Sequence, residues 1–106
     1  MSTHLPLIDK DHELRKASKV IRAVAHPIRK AILKKLSEKS EANVTELYMD
    51  LNIEQSVASQ HLKILREARI VIPERKGKSI IYKLNYDNIT KLERIVSEIV
   101  TEITSD

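Results

Sequence analysis

Cysteine is absent from this 106-residue chain, glycine occurs once, and the aromatic residues are three tyrosines. Each shortage removes a class of function. Without Cys there is no disulfide, thiolate metal site, iron–sulfur cluster or cysteine nucleophile. With Gly77 as the sole glycine, neither a P-loop nor a dinucleotide-binding turn can be written, since both need several. No apolar run approaches the roughly 18 residues of a membrane span, and the N-terminus shows no apolar signal segment. Trp and Phe are missing, which removes the stacking platforms that single-stranded nucleic acid requires.

What is present is mostly aliphatic and charged. Hydrophobic residues make up 42% and charged residues 32%, enough for one modest core and too apolar for disorder. The length supports one domain, with residues 1–8 expected as a flexible arm and 9–106 as the folded unit. The expectation is a soluble, cytoplasmic, basic protein with no membrane partner.

The net charge of +4 is unevenly placed. From Lys10 to Lys35, nine Lys/Arg stand against Asp11 and Glu13, a local excess of seven. Leu36 to Glu54 carries −4, Gln55 to Lys83 carries +5, and Leu84 onward carries −3. Alternating blocks suggest one face that meets a polyanion and another that does not. A solvated mixed surface is the plainer alternative.

Apolar periodicity supplies the elements. Leu14, Ala17, Ile21 and Val24 repeat at steps of three and four, with Val20 alongside, so the spacing predicts a helix from about Asp9. Pro27 should open the next helix, where a missing N–H is harmless, with His26 before it as a cap or turn residue. That helix turns Ile28, Ala31, Ile32 and Leu36 inward and leaves Arg29, Lys30, Lys34 and Lys35 wet. After a polar break over Ser37 to Asn43, Thr45 is expected to cap a short helix with Leu47 and Leu51 inside. Asn52 suits a left-handed turn.

A further helix runs from about Gln55 to Ala68, with Val57, Ala58, His61, Leu62 and Leu65 as its inner positions. Two β-branched runs follow, Ile70 to Ile72 and Ile80 to Leu84, separated by Arg75-Lys76-Gly77-Lys78 as a hairpin tip. Pro73 confines its strand to an edge or a bulge. Ile89, Leu92, Val96, Ile99 and Ile103, widened by Ile95 and Val100, predict a long amphipathic last helix. The expected fold is mainly α with a small β hairpin, in the order α-α-α-α-β-β-α.

A short helix, a tight turn and a second helix with a polar leading edge make a helix-turn-helix, and the basic hairpin behind it makes that a winged helix. One α-helix fits a major groove about 12 Å wide. Gln55, Ser56, Ser59, Gln60 and Lys63 can bond base edges or phosphates there. His61 is included among them, although its inner position equally suits a satisfied, half-buried helix residue. The tip, Arg75, Lys76, Gly77 and Lys78, suits the neighbouring backbone or minor groove of double-stranded DNA.

Two apolar stripes call for a partner. A small domain hardly covers both, and leaving them wet would expose a patch larger than monomers tolerate. A two-fold homodimer through the first and last helices is therefore expected. Its contacts would be Leu14, Ala17 and Ile21 with Ile89, Leu92, Val96, Ile99 and Ile103. Packing of both ends on one core is the alternative.

The stretch QSVASQHLKILREARIV resembles the recognition helix and exit of the arsenical-repressor (ArsR/SmtB) family of bacterial winged-helix transcription regulators. AVAHPIRKAILKKL is similar to that family's second helix, NVTELYMDLNI to the helix before the turn, and ERKGKSIIYKLN to the wing. The resemblance spans roughly residues 10–100. It implies a homodimer that binds an inverted-repeat operator and represses transcription until a signal releases it.

Three places depart from the family pattern. Glu54 stands where Ser or Asp usually caps the recognition helix, and Arg69 where Gly often follows it. The thiols that metal-sensing members carry before the third helix fall at Asn43 and Thr45. The ligands of their last-helix site fall at Tyr86, Asn88, Ile99 and Glu102, of which only Glu102 could ligate. The expectation is a regulator without a metal site or other cofactor; whether it answers to a small-molecule inducer is left open by the sequence. Two alternatives remain: a metal-responsive repressor using His4 and His12, or an adaptor whose basic face docks an acidic protein. Ser56 and Ser59 lack the Asp and His context of a triad, Tyr48 and Met49 suit packing, and no feature points to an enzyme.

Overall fold

The computed structural model describes residues 11–104. The expected arm over 1–8, and His4 within it, lie outside them. Among the described residues five helices surround one three-stranded antiparallel sheet. The order is α1 (Asp11–Val24), α2 (Pro27–Lys39), β1 (Ala42–Asn43), α3 (Val44–Asp50), α4 (Gln55–Glu67), β2 (Val71–Lys76), β3 (Ser79–Leu84) and α5 (Tyr86–Thr104).

Local chemistry sets the boundaries. Asp11 and Glu13 place negative charge on the first turn of α1, where the helix dipole favours it. Pro27 opens α2, and His26 Nδ1 accepts the Ile28 backbone N–H at 3.1 Å as its cap. The cap of α3 is Asn43, not the expected Thr45. Its Oδ1 accepts from Glu46 N at 2.8 Å while Glu46 Oε1 accepts from Asn43 N at 3.2 Å. This reciprocal box satisfies two donors that Thr45, two residues too far in, could not reach.

Both helices of the central pair end alike. At α3, Ile53 N donates to Tyr48 O and Asn52 N to Met49 O. At α4, Ile70 N donates to Leu65 O and Arg69 N to Arg66 O. Each pattern needs a left-handed residue after the cap, and φ is 53° at Asn52 and 59° at Arg69. Arg69 thus adopts the conformation usually given to glycine.

The hairpin forms as expected, but a third strand joins it. β1 pairs with β3 through Ala42↔Tyr82 and Asn43↔Ile81, giving the order β1-β3-β2. Pro73 lies in β2, an edge strand, where its missing N–H leaves no ladder gap. Lys76 pairs with Ser79, so the loop is Gly77-Lys78, with φ +61° at Gly77. A two-residue hairpin loop of this kind needs a positive φ at its first central residue.

The core is aliphatic, as the composition requires. Ile32, Leu36, Leu47, Leu62, Leu65 and Ile70 are fully buried, with Ala23, Ala42 and Val71 beside them. Each buried side chain of this size contributes about 1.5–3 kcal/mol. The ends of the chain behave differently. Among the described residues of α5 none is fully buried, and Ile21, Val100 and Ile103 are largely exposed. The radius of gyration is 16.7 Å, against about 13 Å for a compact domain of 100 residues. Part of α1 and α5 therefore projects from the core.

Candidate nucleic-acid interface

The two faces of α4 are chemically opposite. Ala58, Leu62 and Leu65 seal against the core, which fixes the rotation of the helix about its axis. Gln55, Ser56, Ser59, Gln60 and Lys63 are then all exposed. They present amides, hydroxyls and one ammonium, groups that pair with base edges and phosphates alike. Among the described residues no side chain caps α4: Glu54 holds the N-cap place without accepting from the first turn.

The wing carries its cations in different states. Arg75 and Lys78 are exposed, and Arg75 Nε donates to Gly77 O at 3.4 Å across the loop. Lys76 Nζ instead meets both oxygens of Glu41, at 3.0 and 3.2 Å. Lys83 pairs with Glu74 at 2.8 Å, a hydrogen bond that raises the lysine pKa and lowers that of the carboxylate. Glu41 lies in the polar break between α2 and β1, and the sequence reading assigned it no role. Its place beside Lys76 follows from the pairing of β1 with β3, which sequence periodicity does not register. A Cβ on Gly77 would meet nothing within 4 Å, so that position needs glycine for its φ alone.

Arg29 differs most from expectation. Predicted to stay wet, it is half-buried and fully engaged. The last carbonyls of a helix have no partner inside it. At the end of α1, Arg29 supplies partners: Nε donates to Ala23 O, and Nη2 donates to Arg22 O at 3.3 Å. Its Nη1 lies 3.1 Å from His61 Nδ1. The His61 ring also lies against His26, with centroids 4.5 Å apart and planes tilted by 40°. Burial first, then the charges of His26 and Arg29, hold the His61 pKa below the ordinary histidine value. Of the predicted contact residues, His61 alone is half-buried and turned toward α2. Arg29 sits one turn into α2 from the His26 cap, a spacing that hints at the cluster without showing which carbonyls it meets.

The exit of α4 is tied to the start of α5. Arg69 O accepts from Asn85 Nδ2 and Asn88 Nδ2, both at 3.0 Å, and Asn85 N donates to Ile70 O at 2.8 Å. The predicted dimer residues divide. Ala17 is buried within the chain, and Ile89 packs against the core. Leu14, Leu92 and Ile99 are half-buried, whereas Ile21, Val96 and Ile103 are 47%, 36% and 69% exposed.

The positions where the family's metal ligands would fall do not fit a divalent ion. Asn43 is committed to its capping box, the Asn88 amide donates to a carbonyl, and Ile99 offers no donor atom. Among the described residues no group of three or more His, Asp or Glu is placed to hold a metal. Nor, among them, is any helix long and apolar enough to cross a membrane.

Residues 26–72 match the family described as "Bacterial regulatory protein, arsR family". The HTH-type transcriptional repressor SmtB of Mycobacterium tuberculosis is 44% identical over 68 residues, which are 64% of this chain and 50% of that protein. The chain thus spans about half the length of that relative. The biofilm growth-associated repressor of Agrobacterium fabrum is 34% identical over 88 residues, covering 83% of this chain and 74% of that one. Among solved structures, NolR from Sinorhizobium fredii superposes with a TM-score of 0.70 at 32% identity, over 93% of this chain and 96% of that chain. Fold and relatives agree: the chain belongs to the arsR family of bacterial regulatory proteins and has the winged helix-turn-helix fold.

Proposed function

We propose that the protein is a homodimeric repressor that binds an imperfect palindromic operator and senses no metal. The observation that carries this reading is the polar face of α4, held outward by Ala58, Leu62 and Leu65 beside a basic wing. Gln55, Ser56, Ser59, Gln60 and Lys63 supply direction and base readout. Arg75, Lys76, Lys78 and the bases of α1 and α2 supply the salt-dependent phosphate contacts, Lys76 after leaving Glu41. Exposed Ile21, Val96, Val100 and Ile103 support pairing of two protomers through α1 and α5. In such a dimer the two α4 helices enter successive major grooves about 34 Å apart.

Selection of bound sites from random duplex DNA, with and without added zinc, tests this reading. Enrichment of a palindrome indifferent to zinc is the expected result. No enrichment at moderate salt would favour the adaptor reading, and release of DNA by zinc would transfer sensing to His4 and His12.

A further inference from the structure

Most of the α4 surface faces outward, but one side chain ties the helix back to the rest of the fold. His61 meets Arg29, and Arg29 in turn holds the end of α1 through the carbonyls of Arg22 and Ala23. Arginine only donates, so the atom facing it, His61 Nδ1, must offer a lone pair. The ring is therefore neutral, with its proton on Nε2. His26, beside it, caps α2, its Nδ1 accepting the Ile28 N–H.

Protonating His61 would place a donor against a donor and a positive charge against the guanidinium. Among the described residues the charges that bear on His61 are those of His26 and Arg29, both from the start of α2. Neither is an anion that could compensate. From α1 the guanidinium is held by the carbonyls of Arg22 and Ala23, and Arg15, Lys19 and Arg22 of α1 with Glu67 of α4 line the same cavity as Arg29.

We propose that neutral His61, held by Arg29 and packed against His26, positions α4 for DNA, and that protonating it frees the helix and weakens specific binding. This rests on the DNA-binding reading above and deepens it. His61 acts here as a positioning residue, through α4, and reads no base itself. The depressed pKa fixes the sign. The unfolded or released state takes up a proton near pH 6.5, the ordered state only below that, so the ordered state loses ground as the pH falls below about 6.5.

The test is the ratio of operator to random-duplex affinity between about pH 8 and 5.5, a range that spans ordinary histidine titration. Taking the ratio cancels the general gain in phosphate attraction at low pH. For the wild type the ratio should be flat above neutrality. Between about pH 6.5 and the depressed pKa of ordered His61 it should fall, by at most roughly tenfold per pH unit for each protomer, and it should level off below that. In H61N, Asn Oδ1 takes the place of Nδ1 and still accepts from Arg29 but cannot titrate. H61N should match the wild-type ratio near pH 7.5 within about threefold, the spread of a neutral substitution, and should lose the acid fall.

An H61N ratio that collapses at pH 7.5 while the fold persists would make His61 a base reader and overturn the proposal. So would a wild-type ratio unchanged by pH, or an acid fall retained in H61N. Preference for no duplex at any pH would overturn the DNA reading and this inference together. Should H61N fail to fold, histidine NMR of the wild type decides: an Nε2–H tautomer at neutral pH is required, and an Nδ1–H tautomer refutes it.

Discussion

Replacing Glu41 by Gln should tighten binding to any DNA duplex. In the free protein Glu41 holds the Lys76 ammonium at 3.0 and 3.2 Å, with the two side chains 39% and 51% exposed. A pair this open to water is worth about 0.2–1 kcal/mol. When the wing reaches a phosphate, Lys76 must exchange one anion for another, and Glu41 is left facing a like charge. E41Q removes both penalties, so the dissociation constant should drop by roughly one and a half to fivefold. The gain should be equal for operator and random duplex, because a phosphate contact carries no sequence information. Fluorescence anisotropy titrations between about 50 and 200 mM salt also give the slope of log affinity against log salt, which K76Q should flatten by about 0.9 for each protomer bound. In the double variant the benefit of E41Q should vanish. Unchanged or weaker binding by E41Q would refute the reasoning, as would a gain that survives loss of Lys76.

Three further outcomes are expected. Gln60→Ala should weaken operator binding by about 1–3 kcal/mol while leaving random duplex nearly untouched, as filter binding on both DNAs will show; equal losses would move Gln60 to the phosphate contacts. Asn43→Ala removes the capping box of α3 and should lower stability by about 1 kcal/mol in urea unfolding, an effect absent from Thr45→Ala. Val96→Glu combined with Val100→Glu should leave the core intact but give a monomer by sedimentation, with weaker operator binding; a persistent dimer would place the interface elsewhere.

The helices and the hairpin were legible because each announces itself within a few residues. Steps of three and four mark α1, α4 and α5, Pro27 marks the start of α2, and Gly77 between β-branched runs marks the wing. The left-handed turn at Asn52 could be located too, whereas Arg69 was marked only by the resemblance, as a place where the family often has Gly. What escaped depends on distant partners. β1 is two residues long, and its pairing with β3 leaves no periodicity in Ala42 and Asn43. Arg29 sits at an outward position of its own helix, and only the approach of α1 and α4 turns it inward. Lys76 reads as a free wing cation until β1 brings Glu41 beside it. Periodicity placed Gln55, Ser56, Ser59, Gln60 and Lys63 outward and His61 among the inner positions, as their burial has it; what it left out is that His61 faces Arg29 and His26.

The double acceptance at Arg69 O has a mechanical consequence. Asn85 and Asn88 rivet the base of α5 to the last turn of α4, so the two helices share a pivot. Nineteen residues of α5 make an arm about 28 Å long. Swinging that arm by about 5° sweeps its tip through roughly 2.5 Å while the pivot hardly moves, by the same rise per residue. Whatever grips the tip therefore has leverage on the angle of α4, and small displacements there are geared down into fine adjustments of the reading head.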